Sequence, residues 1–271
     1  MQFIPRDILS IVVSFLNVSS VFAMGFVYGS VKGFRHPTKM SELIIDSIDE
    51  TPSNMFYWLS SLNATLCYDD TFSCCKKAAN VGNLKIVKSM FLALKQFEFG
   101  TGLVHSGDIF VEAVNGGHLN VMQWLRDTGC RWNVLACEAA AKKGYFEILK
   151  WLHKEGCPWD ETTFSGATFA NNFEMVKWLH KEGCRADIYC SINVASNGNL
   201  EMLRFLTSNG SLQNKTVCGA AAKNGHLEIL KWAMSEAKTY RFQWNNTTCA
   251  NAAYGGHLEV LKWARENGCP R

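Results

Sequence analysis

At 271 residues the chain has room for one or two domains, and its 48% hydrophobic content, with mean hydropathy −0.05, supplies a core and excludes a disordered chain. A formal charge of +3 is too small to mark a nucleic-acid binder without a local basic patch. Eleven cysteines make an odd number for a disulfide framework, and most of them recur at fixed places in a repeat. They are expected as reduced, buried thiols of a cytoplasmic or nuclear protein.

The chain opens Ile4-Pro5-Arg6-Asp7-Ile8-Leu9, with apolar residues again at Ile11, Val12, Phe15, Leu16, Val21, Phe22, Phe26, Val27, Val31 and Phe34. Ile8 to Val31 carries no charge and is long enough to cross a bilayer, and Val21-Phe22-Ala23 resembles a weak signal-cleavage site. Ser10, Ser14, Asn17, Ser19, Ser20, Gly25, Gly29 and Ser30 dilute it, and Asp7 stands where a signal segment is basic. Segment 1–34 therefore has three readings: a docking motif, an apolar cap on a helical stack, or an anchor or export segment. The opening pattern resembles the F-box, a family that docks on the Skp-type adaptor of cullin-based ubiquitin ligases. The resemblance implies that Ile4, Pro5, Ile8, Leu9 and Leu16 face the adaptor.

Residues 41–70 read as a degenerate first repeat, with Ser53 to Leu59 (SNMFYWL) placed like a second helix. From 71 to 271 the repeat is plain. GNLKIVKS begins at Gly82, GHLNVMQW at Gly117 and GYFEILKW at Gly144. NNFEMVKW at Asn171, GNLEMLRF at Gly198, GHLEILKW at Gly225 and GHLEVLKW at Gly256 follow, at spacings of 35, 27, 27, 27, 27 and 31 residues.

Positions are counted from that Gly, or from Asn171, as zero. Thr71, Ser106, Asn133, Asp160, Asp187, Asn214 and Asn245 stand at −11, and each has a side chain able to cap a helix. A first helix is predicted to run from there to zero and to bury −8, −7, −4 and −3, where small side chains permit close approach. A second helix starts after zero, with aliphatic residues at +2, +4 and +5 and usually Trp at +7 (Trp124, Trp151, Trp178, Trp232, Trp263; Phe205 once). It is predicted to stop at Gly129, Gly156, Gly183, Gly210 and Gly268. Glu at +3 and Lys or Arg at +6 read as ion pairs on a solvated face.

The AAxxGHLEVLKW pattern resembles the second half of an ankyrin repeat. Gly156 to Asp160 (GCPWD) and Gly129 to Asn133 (GCRWN) are similar to the short divergent repeats of large DNA viruses, algae and oomycetes. Only three residues separate Gly156 from Asp160, which leaves little room for the β-hairpin finger of ankyrin repeats. The expectation is an all-α solenoid of seven helix pairs without fingers, stacked with a right-handed turn around a curved groove.

Chemistry is sparse. There is no paired C-x₂₋₄-C knuckle for zinc, no Gly-rich phosphate loop, no nucleophile elbow and no HExxH. His118, His226 and His257 at +1 alternate with Asn or Tyr, as turn hydrogen-bonders do. His153 and His180 read as solvated. The chain is read as a non-enzyme with no cofactor, no metal and no small-molecule substrate, and the low charge argues for no nucleic acid. The reading is a substrate-recruiting adaptor, with a plain interaction scaffold or inhibitor and an anchored or exported effector as alternatives. Positions −9, −6, −5 and −2 share the unburied face of each first helix. Row −2 varies as Asn80, Asn115, Lys142, Phe169, Ser196, Lys223 and Tyr254, as a recognition surface does. Glu138, Lys142, Phe169, Lys223 and Tyr254 are the expected partner-binding residues.

Overall fold

A computed structural model describes residues 68–97, 106–187, 189–210, 216–236, 242, 244 and 246–270. Segment 1–34 and residues 41–67 lie outside them, together with the adaptor-facing expectation for Ile4, Pro5, Ile8, Leu9 and Leu16. Among the described residues no helix is long and apolar enough to cross a membrane.

The described residues form fourteen α-helices and no strand. The chain divides into two units, Met1–Arg131 and Trp132–Arg271. The first holds α1 (Tyr68–Val81), α2 (Leu84–Phe97), α3 (Ser106–Gly116) and α4 (Leu119–Asp127). The second opens with α5 (Val134–Lys142), α6 (Phe146–Lys154), α7 (Glu161–Phe169), α8 (Phe173–Lys181) and α9 (Tyr189–Ser196). It continues with α10 (Leu200–Ser208), α11 (Val217–Lys223), α12 (Leu227–Ser235), α13 (Asn246–Tyr254) and α14 (Leu258–Glu266). Odd-numbered helices are the first members of each pair. They stack on one another within a unit, α1 on α3 and α5–α7–α9–α11–α13, and each also packs on its own second helix. Each unit is thus an all-helical repeat solenoid.

The stripe predicted from spacing is the one that packs. Rows −8, −7, −4 and −3 are buried in all seven pairs except at Ala253, where no described helix stacks beyond α13. The row at −4, Ala in six repeats and Val194 in the seventh, sits at 0% exposure, where small side chains let the packed helices approach closely.

Both helices of a pair end in the same way. At zero, Gly takes a left-handed φ (Gly144, 74°), and the next N–H bonds the carbonyl at −4, as in Tyr145 N to Ala140 O at 2.9 Å. Asn171 does the same at φ 53°, since Asn tolerates the left-handed region better than other non-glycine residues. The second helices close on Gly129, Gly156, Gly183, Gly210 and Gly268, all with positive φ. After Gly129, Gly156 and Gly183 the link to the next pair is a few residues without helix or strand, where a hairpin finger would otherwise stand.

The capping expectations hold at three places. Asn133 accepts from Leu135 N, Asp160 from Thr162 N, and Asp187 from Tyr189 N and Cys190 N. Two need correction. α1 begins at Tyr68, so Thr71 lies inside the helix rather than before it. Ser106 is the first residue of α3, and its hydroxyl accepts from Arg131 N at 3.1 Å instead of capping. Asn214 and Asn245 lie outside the described residues.

Candidate functional site

The surface with variety lies on the first helices of the second unit. Row −2 places Lys142, Phe169, Ser196, Lys223 and Tyr254 on five successive helices. Phe169 is 63% exposed and Tyr254 82%, so neither fills a gap between repeats. Lys223 reaches over the Tyr254 ring, 5.4 Å from its centroid. At the other end Lys142 is closed on Glu138, its neighbour one turn back, and Glu138 is half-buried. The five residues named from sequence therefore share one set of rows, but Glu138 and Lys142 satisfy each other while the remainder stay open.

Row −9 adds two side chains that the sequence reading passed over. Leu135 is 45% exposed and Tyr189 58%, on α5 and α9. The signal was present, because −9 belongs to the same face as −2 and carries an aromatic among threonines (Thr162, Thr216, Thr247).

Row −5 is not free, which corrects the assignment of that position to the open face. Gly166 is buried, and a β-carbon there would come within 3.1 Å of Glu138 O and Lys142 N on α5. Asn193 donates to Ser165 O at 3.1 Å, and Asn251 to Gly219 O at 3.2 Å. Position −5 is thus the seam with the preceding first helix. Asn197, at −1, extends the seam by donating to Thr168 O, a carbonyl near the end of α7 that also accepts from Asn171 N. The open surface consists of rows −9, −6 and −2, with a cavity of about 590 Å³ between α9, α11 and α13.

The +1 residue has two structural uses. Asn83, Asn172 and Asn199 cap their own second helices through Oδ1. His118 and His226 instead bond the last carbonyls of the preceding first helix, Asn80 O at 2.9 Å and Ser196 O at 2.7 Å, with Nε2–H donating. The ring needs the space left by glycine: β-carbons at Gly82 and Gly198 would meet it at 2.4 and 2.6 Å.

The opposite edge, along the second helices, is an aromatic ladder of half-buried rings. Trp132 meets Trp151, Trp159 meets Trp178, and Trp244 meets Trp263, all edge-on at 5.5–6.4 Å. His153 is half-buried rather than freely solvated as expected. It stacks on Trp159 at 3.9 Å and lies edge-on to Trp178. His180 likewise meets Phe205. These partners are 6 to 25 residues away in sequence, outside the reach of a single-helix pattern. The Glu–Lys pairs at +3 and +6 form at 2.8–2.9 Å in α6, α8 and α12, and Lys150 and Lys177 also lie 4.1 Å from the Phe146 and Phe173 ring centroids.

The described cysteines are free and buried, and among the described residues no group of His, Cys, Asp or Glu is arranged to hold a metal. Their recurrence has a local cause. Cys130, Cys157 and Cys184 donate S–H to the carbonyls of Ser106, Asn133 and Asp160, the residues that open the same repeat. Burial holds the thiols in the neutral form. Cys184 and Cys218 are pushed up to about 11, and Cys190 to about 12 with Asp187 as a second cause.

No family model matches the sequence, and no curated protein does. The fold is similar to solved structures of the pentatricopeptide repeat protein PPR10 in complex with an 18-nt psaJ RNA element. The likeness spans 86% of this chain and 39% of that one, at 12% identity and a TM-score of 0.48. A variant of that protein with cysteines replaced by serine, bound to the same element, matches to the same degree. The chain thus spans about two fifths of the length of the solved chains it matches. That finding corrects the expectation of no nucleic acid. Net charge alone does not suffice for that exclusion, because local patches and not the sum set the field a partner meets.

Proposed function

We propose that this chain is a non-enzymatic interaction scaffold that recruits a partner protein on the open rows of its first helices. We further propose that segment 1–34 tethers it to a Skp-type adaptor of a cullin-type ubiquitin ligase. The observation that carries the first part is the exposure of Phe169, Tyr189 and Tyr254 on α7, α9 and α13 of one helical stack. Large aromatics held open at low entropy cost are what interface anchors use. The second part is supported by the opening pattern Ile4-Pro5-Arg6-Asp7-Ile8-Leu9 and its spacing to Leu16. The ankyrin-like character of the repeats is supported by the GHLEVLKW pattern and by the glycine that closes six of the seven first helices and five second helices. Thiols used as hydrogen-bond donors must be reduced, which supports a cytoplasmic or nuclear setting.

The test is affinity capture of the full chain from its native cells, with two variants. Replacing Pro5, Ile8 and Leu9 by polar residues should remove the ligase adaptor from the captured set and leave the target. Replacing Phe169, Lys223 and Tyr254 by Ala should remove the target and leave the adaptor, with the melting temperature unchanged. Capture of a target without any adaptor by the unaltered chain makes it a plain scaffold. A captured set indifferent to the second variant rules out the first-helix face.

A further inference from the structure

The cavity between α9, α11 and α13 exists because one side chain is missing. Row −6 carries Lys76, Val111, Glu138, Ser165, Ile192 and Ala250 elsewhere, but Gly219 on α11, with Ala220 beside it. Gly219 lies inside the helix without a left-handed φ, so the backbone does not require it. A β-carbon there would come within 3.0 Å of Asn251 Nδ2 and begin to fill the space. Glycine inside a helix weakens it relative to alanine. Glycine here costs helix propensity and at the same time lets Asn251 reach Gly219 O at the seam.

The chemistry around the pit is one-sided. Among the described residues that line it, Lys223 is the one charged side chain and none is a carboxylate. Among the described residues Lys223 has the Tyr254 ring as its contact, whereas Lys142 on the same row is neutralised by Glu138. Asn224 and Asn251 spend their amide nitrogens on Ala220 O and Gly219 O, which leaves each Oδ1 as an acceptor. A ligand that fits brings one negative group and several N–H donors. A single lysine among neutral amides and hydroxyls neutralises one charge, not the succession of phosphates along a nucleic-acid strand.

We propose that this pit receives an Asp or Glu side chain from an extended segment of the partner protein. The carboxylate pairs with Lys223 Nζ, and backbone N–H groups beside it donate to Asn224 and Asn251 Oδ1. The proposal rests on the reading of these rows as a protein-binding face and specifies what the face selects.

The experiment is selection of a random dodecapeptide display library on the full chain and, in parallel, on Lys223→Glu. The expected result is one fixed acidic position in peptides selected by the unaltered chain, and Lys or Arg at that position with Lys223→Glu. Replacing the selected acid by its amide should weaken binding about tenfold, in the range of a charge-assisted hydrogen bond. Gly219→Leu, which fills the pit, should abolish binding while a cooperative melting transition is retained. A consensus without an acid, or the same consensus on both chains, overturns the proposal. If no peptide is enriched while the native target still depends on Phe169 and Tyr254, the pit proposal fails and the scaffold reading stands. If a single-stranded RNA pool binds and is lost with Lys223→Glu while no peptide is enriched, the occupant is nucleic acid and the proposal is overturned.

Discussion

The pairs α5–α8 and the pairs α9–α12 follow the same template to different ends. In α5–α8 every link is fastened: Trp132 and Trp159 pack on the second-helix tryptophans, Cys157 and Cys184 bond the carbonyls that open their repeats, and Asn133 and Asp160 cap. In the next two repeats Ala186 stands at the position of those tryptophans, Phe205 replaces a tryptophan, Ser211 replaces a cysteine, and Gly219 opens a pit. The template supplies more fastening than any one repeat requires. Where it is relaxed, residues become available for binding.

The largest effect should be alkaline. Cys184, Cys190 and Cys218 have pKa values raised from 9.0 to about 11, 12 and 11 by burial. A thiol raised in the folded state holds its proton longer than the unfolded chain does, so its stabilisation is complete below pH 9 and is lost as pH rises through the folded value. Each such thiol should lower stability by about 1.4 kcal/mol per pH unit above 9. Urea titrations from pH 8 to 11 check this, and Cys218→Ala should flatten the slope. An unchanged slope means that the thiol reaches solvent.

Trp178→Ala should cost about 3 kcal/mol, the low end for a core aromatic, because the ring is half-buried yet touches Phe146, His153 and Trp159. Phe205→Ala in the relaxed region, with Phe173 and His180 as ring partners, should cost less. Equal losses in chemical denaturation would erase the contrast between the two regions.

Two glycines with the same backbone separate strain from crowding. Gly144 (φ 74°) faces nothing within 4 Å, while a β-carbon at Gly225 (φ 79°) meets the His257 ring at 2.5 Å. Gly144→Ala should cost about 1–2 kcal/mol from the left-handed region alone, and Gly225→Ala more. Equal melting temperatures would mean that the histidine ring yields freely.

Thr163 occupies the buried row −8 and its hydroxyl has no partner. Thr163→Val should raise stability by about 1 kcal/mol, and a fall in melting temperature would reveal a hidden partner. The smallest effect belongs to Glu174→Gln, which breaks an exposed pair with Lys177 and should cost about 0.3–0.5 kcal/mol. A loss several times larger would give the outer face a structural role.

Much of this was legible before any coordinates. Rows −7 and −4 stood out because seven copies average away individual noise, and a position that repeats as Cys, Phe or Ala must meet the same neighbour each time. The open row −2 stood out by the converse argument. Three features escaped. The seam at −5 depends on how closely α5 approaches α7 at Gly166, which is a property of two helices. His153 looked solvated because Trp159 and Trp178 reach it from outside its own helix. The start of α1 at Tyr68 escaped because a capping side chain is a local preference that packing can override.

One feature bears on how such a chain changes length. The thiol of Cys130, Cys157 or Cys184 bonds a carbonyl 24 residues earlier, within its own repeat. Each module therefore fastens its own ends and leaves no half-bond for the next to complete. A duplication or deletion of one 27-residue period would preserve every such bond and alter only the order in which −2 and −9 side chains follow one another. New recognition patterns could then arise by shuffling whole modules, without first passing through a chain that fails to fold.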